Sequence, residues 1–79
     1  MQIFIKANKT MIHDIDSNTY IYNILYRLED QLNVPCNKMY LVYCGKVLQQ
    51  NKTISDYHIK EHGTIYLNFR INNYLKTYN

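Results

Sequence analysis

The chain contains no tryptophan, one proline, two glycines and two cysteines among its 79 residues. Its apolar runs all stop well short of the roughly 20 residues that cross a bilayer, so we expect no membrane partner. The amino terminus enters a strand-like pattern directly, without the apolar core of a secretory signal. The hydrophobic content of 47% favours a folded domain over disorder. The sequence therefore predicts one small intracellular domain, cytoplasmic or nuclear.

The cysteines and histidines do not form a recognisable reactive or metal-binding motif. Cys36 and Cys44 lack the C-x-x-C spacing, and two free, reduced thiols are the favoured interpretation over a disulfide or metal site. Residue type alone would allow Cys44 to pair with His58 or His62 as nucleophile and base, and no motif supports such a pair. Phosphate-binding glycine loops and zinc-hydrolase motifs are missing as well. We therefore predict no catalytic residue, no metal and no cofactor.

The charge pattern argues against nucleic acid as a partner. The net charge is only +3, and the lysines are spread along the chain instead of being grouped on one face. An RNA-binding sheet would place aromatic residues side by side on exposed strands. Tyr20, Tyr22 and Tyr26 instead fall in a helical segment. The abundance of Tyr, Asn, Ile and Lys resembles the translation of an AT-rich genome and describes the source more than the function.

Residues 1–6 and 10–16 alternate between apolar and polar, which predicts two strands. The short turn Ala7-Asn8-Lys9 joins them into an antiparallel hairpin. In the second strand His13 shares the inward face with Met11 and Ile15.

A helical stripe follows the hairpin and is formed by Ile21, Ile24, Leu25, Leu28 and Leu32. The preceding Ser17-Asn18-Thr19 offers three candidate N-caps. Asn33 can close the helix in the left-handed conformation, and Pro35 prevents its continuation.

The second half of the chain reads as short strands with one further turn. Residues 40–43 predict a strand, Gly45-Lys46 a turn and Val47-Leu48 an edge strand, while Thr53-x-x-Asp56 predicts a capping box. Residues 64–71 alternate again as a last strand. The order predicts an α+β fold of the β-grasp type, a mixed sheet of four to five strands packed on one helix. The predicted core consists of Ile3, Ile5, Ile15, Ile21, Ile24, Leu28, Leu41, Leu48, Ile54, Ile59, Ile65 and Leu67.

Three segments carry a resemblance to a known family. Met1-Gln2-Ile3-Phe4, Gly45-Lys46 and Ser55-Asp56-Tyr57 are similar to ubiquitin, and the likeness extends to about Arg70. The resemblance implies a ubiquitin-like domain over residues 1–71, a flexible tail over 72–79, and a loop anchored by the hydroxyl of Tyr57. Leu25 and Gln50 stand where the family pairs a buried lysine with a carboxylate. Losing both partners together avoids an unpaired buried charge, which costs about 3–5 kcal/mol.

Two positions depart from the family near the hairpin and the helix start. His13 replaces a buried leucine, and we expect a neutral, hydrogen-bonded histidine, with a pH-sensing role as the alternative. Tyr20 replaces a threonine that caps the helix. Because tyrosine cannot cap, we expect Thr19 or Asn18 to take over.

The segment after Arg70 departs from the family most. The family has Arg-Gly-Gly there and ends, whereas this chain has Ile71-Asn72-Asn73-Tyr74 and continues to Asn79. Activation for conjugation needs a tail thin enough to thread an enzyme channel, and glycine supplies it. We therefore predict a non-conjugatable protein, the alternative being a modifier released from a longer or processed precursor.

The family's recognition patch is altered but retains its centre. The resemblance assigns protein binding to Tyr40, Val42, Lys46, Tyr66 and Asn68. Tyr66 and Asn68 replace a histidine and a valine, and the loop that supplied a leucine has shrunk to Ala7-Asn8-Lys9. An exposed sheet face without a partner is the alternative.

We predict a monomeric protein-interaction domain that docks on ubiquitin-pathway proteins or interferes with them. The lysines that match the family's linkage positions, Lys6, Lys9 and Lys46, are candidate acceptors, although plain surface charges are the favoured interpretation. An AT-rich relative with an eroded interface is what a viral or parasite genome could carry as a decoy for a host cell.

Overall fold

A computed structural model describes residues 1–70 of the chain. Its strands are β1 (Gln2–Lys6), β2 (Thr10–Asp14), β3 (Met39–Tyr43), β4 (Lys46–Val47) and β5 (Thr64–Phe69). Its helix is α1 (Ile21–Leu32), and two short 3-10 turns span Cys36–Lys38 and Ser55–Tyr57. The predicted extension of the last strand to Ile71 and the predicted flexible tail over 72–79 lie outside the described residues.

The five strands form one mixed sheet in the order β2-β1-β5-β3-β4. The central pair β1–β5 is parallel, and the other three neighbouring pairs are antiparallel. One helix follows the first hairpin and contributes four buried residues to the core. The predicted α+β, β-grasp arrangement is confirmed.

The core lies between the helix and one face of the sheet. All twelve residues predicted for it are buried, and so are Met11, Leu25 and Met39. Leu25 is 2% exposed, so an apolar side chain fills the place where the family has a buried lysine. Gln50 is exposed, and its carbonyl accepts a 3.2 Å hydrogen bond from the backbone N–H of Tyr22. The interior at Leu25 therefore holds no charge that needs a partner.

The start of α1 differs from the prediction that Thr19 or Asn18 caps it. Tyr20 occupies the N-cap position and makes no side-chain cap bond. The backbone N–H groups of Ile21 and Tyr22 donate instead to the carbonyls of Lys52 and Gln50, at 2.8 and 3.2 Å. Helix-terminal N–H groups need acceptors of any kind, and here a neighbouring loop supplies them. The cap prediction was wrong because this loop is remote in sequence.

The end of α1 follows the prediction. Asn33 adopts the left-handed conformation, with φ 59°, and its N–H donates to the carbonyl of Glu29 at 2.8 Å. Asparagine tolerates this conformation better than most residues, so it ends the helix at little cost.

The loop between β4 and β5 is held by a reciprocal pair and by one tyrosine. The N–H of Thr53 donates to Asp56 Oδ2 at 2.8 Å, and the N–H of Asp56 donates to Thr53 Oγ1 at 3.2 Å. The predicted capping box is therefore present. Hydrogen bonds from Thr53 to the carboxylate, first from its backbone N–H and then from its side chain, lower the pKa of Asp56. The Tyr57 hydroxyl accepts a 2.8 Å hydrogen bond from the N–H of Gln49, which confirms the expected anchor.

Candidate protein-binding face

The side of the sheet away from the helix collects most of the residues predicted to bind protein. Along β3, Met39 and Leu41 are buried, so Tyr40 and Val42 point to the opposite side. Directly paired residues share one side of a sheet. We call this side the outer sheet face and define it by Lys6, Tyr40, Val42, Val47, Tyr66 and Asn68.

The strand register aligns the centre of the outer sheet face in one row. Val42 pairs with Val47 on β4 and with Tyr66 on β5, and Tyr66 also pairs with Lys6 on β1. Val47 is 55% exposed and Tyr66 is 49% exposed. Cross-strand partners lie about 4.5–5.5 Å apart at Cβ, so these side chains form a continuous surface. Its centre is apolar and open to a partner.

Val47 was missed by the sequence reasoning, and the β3–β4 turn could have revealed it. The turn consists of Cys44 and Gly45, both with positive φ, at 51° and 78°. It lies one residue earlier than the predicted Gly45-Lys46, and the edge strand is Lys46–Val47 instead of Val47-Leu48. Two residues with positive φ form a type I′ turn, which fixes the pairing of the flanking strands. That pairing sets Val47 opposite Val42.

Lys46 is the one predicted binding residue that the register does not bring to this face. It pairs with Tyr43, which packs against the core. Since successive strand residues alternate sides, Lys46 belongs to the side opposite Val42. Lys46 therefore does not belong to the row formed by Val42, Val47 and Tyr66.

The part of the outer sheet face formed by Tyr40 and Asn68 is polar, and a positive charge lies beside it. Tyr40 pairs with Asn68, and the guanidinium carbon of Arg70 lies 4.6 Å from the centre of the Tyr40 ring. The N–H of Arg70 donates to the carbonyl of Lys38 at 2.7 Å. A cation over an aromatic face is attracted by the ring's electron density, so Arg70 is held beside Tyr40.

The shortened β1–β2 turn leaves an open cleft of about 280 Å³ beside the face. The turn is closed by a 3.0 Å hydrogen bond from the N–H of Ala7 to the carbonyl of Lys9. Lys6, Ala7 and Asn8 line one side of the cleft, and residues 66–69 line the other. The candidate acceptor lysines Lys6, Lys9 and Lys46 are all exposed.

A second exposed apolar strip lies on the outer side of the β1–β2 hairpin. Ile12 is 62% exposed and pairs with Phe4, whose ring stacks on His62 at 5.8 Å between ring centres. The sequence pattern put Phe4 on this side, but the stacking depends on His62, which is distant in sequence. This strip neighbours the outer sheet face without belonging to its central row.

The helix presents a third surface, made of tyrosines. The rings of Tyr20 and Tyr22 stack at 5.2 Å between centres, and Tyr26 meets Tyr22 edge-on at 6.0 Å. All three are exposed. They lie on α1 and at its start, as the sequence predicted. Through these ring contacts, each tyrosine covers part of its neighbour's apolar surface.

Neither cysteine is part of a disulfide in the described part of the chain. Cys36 Sγ donates to Glu29 Oε1 at 3.0 Å. The pKa of the Cys36 thiol is raised to about 11, mainly by burial and secondly by the Glu29 carboxylate. Cys44 is exposed in the β3–β4 turn. Within residues 1–70, no three His, Cys, Asp or Glu side chains are grouped so as to hold a metal ion.

The sheet order, the single helix and the anchored Tyr57 loop agree with a match to a known family. The model of the family described as "Ubiquitin family" matches residues 3–72. This chain belongs to the ubiquitin family. Domains of this family are non-catalytic, so the chain is not an enzyme, as the sequence predicted.

A curated relative extends the comparison to a named protein. The chain is 30% identical over 57 residues to the UV excision repair protein rhp23 of Schizosaccharomyces pombe. The match covers 72% of this chain but 16% of rhp23, so the chain corresponds to a small part of that protein. Among the described residues, the one helix is too short to cross a membrane.

Proposed function

We propose that this chain is a non-conjugatable ubiquitin-like domain that binds proteins, including components of the ubiquitin pathway, through its outer sheet face. The observation that carries the proposal is the row of Val42, Val47 and Tyr66, which forms an exposed apolar centre across three strands. Tyrosine is enriched at interfaces because its large ring is buried with few lost rotamers.

The charges around this row indicate the chemistry of the partner. Lys6 pairs with Tyr66 and so extends the row on one side, and the guanidinium group of Arg70 lies over the ring of Tyr40. The six residues of the outer sheet face include no carboxylate. A short amphipathic segment with an apolar centre and acidic ends complements this arrangement.

Asn68 and the short β1–β2 turn make the preferred partners differ from those of ubiquitin. Asn68 is exposed next to Tyr66, where the resemblance implies an apolar side chain. Each Å² of apolar contact removed from an interface forfeits about 25 cal/mol. A segment optimised for ubiquitin therefore binds this face weakly, while a dedicated partner can use Tyr40 and Tyr66 as anchors.

Chemical-shift mapping tests the surface and its specificity together. A peptide of a ubiquitin-binding helix is titrated into the labelled protein and, in parallel, into ubiquitin. We expect shifts at Val42, Val47 and Tyr66, with weaker affinity than for ubiquitin. The double variant Val42→Ala, Tyr66→Ala should abolish the shifts, whereas Tyr22→Ala, a matched change on the exposed helix surface, should leave them intact.

Two outcomes of this titration would contradict the proposal. Binding as tight as to ubiquitin would refute the altered specificity. Shifts confined to Tyr22 and Tyr26 would show that the helix surface, not the outer sheet face, contacts the partner.

The proposed lack of conjugation depends on the residues that follow Arg70. The two glycines of the chain, Gly45 and Gly63, are far apart, and Asn72-Asn73-Tyr74 occupies the region where the family has its glycine pair. Side chains there obstruct the close backbone approach that activation requires.

A thioester assay with ubiquitin-activating enzyme and ATP tests this claim. We expect no reducible, higher-mass band with the full chain or with a version that ends at Tyr74, while ubiquitin is charged under the same conditions. Charging of the version that ends at Tyr74 would favour a modifier released by processing, and charging of the full chain would refute the claim outright.

A further inference from the structure

His13 lies on the inner side of an edge strand, between the sheet and the helix. It shares this side of β2 with the buried Met11, and its cross-strand partner on β1 is Ile3, which is 0% exposed. The ring is half-buried. A titratable group thus lies in the interface between β2 and α1, which we call the β2–α1 seam. Its neighbours from the strands, Met11 and Ile3, are apolar.

Few groups around the ring stabilise its protonated form. The Nε2 atom is buried and has no hydrogen-bond partner among the described residues. Two residues of α1 act on the ring: the positive charge of Arg27 lowers the pKa of His13, and a hydrogen bond with the Gln31 side chain raises it. Arg27 Nη1 donates to the backbone carbonyl of Asp14 at 3.3 Å, which keeps its positive charge close to β2.

The nearest carboxylate on β2 is engaged elsewhere. Asp14 Oδ1 accepts a 3.1 Å hydrogen bond from the amine of Met1, and its side chain is 85% exposed. Asp14 is adjacent to His13 and therefore points to the opposite side of the strand. It is not placed to compensate a charge on the imidazole.

We propose that His13 is a proton sensor, and that its protonation loosens the seam between β2 and α1. A proton on Nε2 places a positive charge on the half-buried ring beside Arg27, and the buried Nε2–H has no acceptor among the described residues, which is unfavourable. The strain can be relieved locally because β2 has only one neighbour in the sheet, β1. Edge strands and their contacts open at lower free energy than the centre of a sheet.

The direction of the pH dependence follows from the ring's surroundings. Burial lowers the pKa of His13 from 6.5, the charge of Arg27 lowers it further, and Gln31 opposes the shift. The folded state therefore binds fewer protons than the unfolded state, and stability falls as the pH drops through about 6.5. The other groups with shifted pKa values titrate outside this window: the pKa of Asp56 is lowered from 3.8, and the pKa values of the Met1 amine, the Cys36 thiol and the Tyr43 hydroxyl are raised from 8.0, 9.0 and 10.0.

Urea unfolding at about pH 7.5 and about pH 5.5 tests the sensor, since this window brackets the unperturbed histidine pKa. We expect the urea midpoint of the wild-type chain to be lower at about pH 5.5 than at about pH 7.5. The midpoints of His13→Gln and His13→Leu should change much less between the two pH values. His58→Asn is the matched control, because His58 is exposed with φ 57° and asparagine tolerates that conformation. It should behave as wild type. An equal pH-dependent loss in the His13 variants would overturn the proposal, as would a flattened profile in His58→Asn.

Two measurements by NMR localise the effect. Amide exchange, corrected for its intrinsic pH dependence, should accelerate in Thr10–Asp14 at the lower pH and not in Met39–Tyr43. In Arg27→Gln the His13 ring should titrate at higher pH than in wild type, because a neighbouring cation is gone. Uniform exchange across both strands, or an unchanged titration in Arg27→Gln, would contradict a sensor in the β2–α1 seam.

Discussion

The two faces of the sheet obey different constraints. On the inner face, Ile3, Ile5, Leu41, Ile65 and Leu67 are between 0% and 4% exposed and pack under the helix. The outer sheet face instead mixes aromatic, aliphatic, charged and amide side chains, contributed by tyrosine, valine, lysine and asparagine. A close-packed interior restricts volume and polarity, whereas an exposed face is free to change with its partner. The fold of the ubiquitin family can therefore persist while its recognition surface is rebuilt.

Strand β5 shows the contrast within two consecutive residues. Leu67 is 4% exposed and pairs with the buried Leu41. Asn68 is exposed and pairs with Tyr40 on the outer sheet face. Substitutions at these neighbours separate the cost of core packing from the cost of changing the surface.

The largest expected effect is that of Leu67→Ala. Truncating a buried leucine leaves a cavity and loses apolar contacts, which costs about 2–5 kcal/mol of unfolding free energy. That is a large share of the stability of a small domain. Urea unfolding measures it, with Asn68→Ala as the control, for which we expect a change within about 0.5 kcal/mol. Equal effects at the two positions would mean that the register assigned to β5 is wrong.

A smaller effect is expected from Tyr57→Phe, which removes one hydrogen bond between two loop segments. The N–H of Gln49 would lose its 2.8 Å acceptor but can turn to water, since Gln49 is exposed. We expect a loss of about 0.5–1.5 kcal/mol in the same urea assay. Tyr66→Phe removes a hydroxyl from the exposed outer sheet face and should change stability by less than about 0.5 kcal/mol. If the two variants were equally stable, the Tyr57 anchor would contribute nothing to the fold.

Local patterns were sufficient for most of the fold. The alternation in β1, β2 and β5 and the helical stripe of α1 each depend on side-chain periodicity, which is a property of the backbone geometry. Asn33 and the Thr53–Asp56 capping box were also predictable, because their hydrogen bonds join residues only three or four positions apart. Most of the twelve predicted core residues follow from such periodicities, whereas Leu48, Ile54 and Ile59 lie outside the strands and α1.

The candidate site was less accessible to sequence reasoning. Tyr66, Val42 and Asn68 were proposed because of the family resemblance, and their protein-binding role stays a prediction. Val47 was missed, and Lys46, predicted to lie in a turn, was grouped with Val42 although the strand pairing sets it on the opposite side of the sheet. Both positions depend on the register of the β3–β4 turn. A shift of one residue in register moves a side chain to the opposite face.

By itself, the sequence determined which residues avoid water, where the helix ends and that the region after Arg70 lacks a glycine pair. These are properties of residue types and of short spacings along the chain. Only the tertiary structure decided that Lys52 and Gln50 supply acceptors for the helix start, that Val47 completes the outer row, and that the Nε2 atom of His13 has no partner. Each of these depends on the position of a segment remote in sequence or of one strand against another, and residue spacing along the chain does not specify that position.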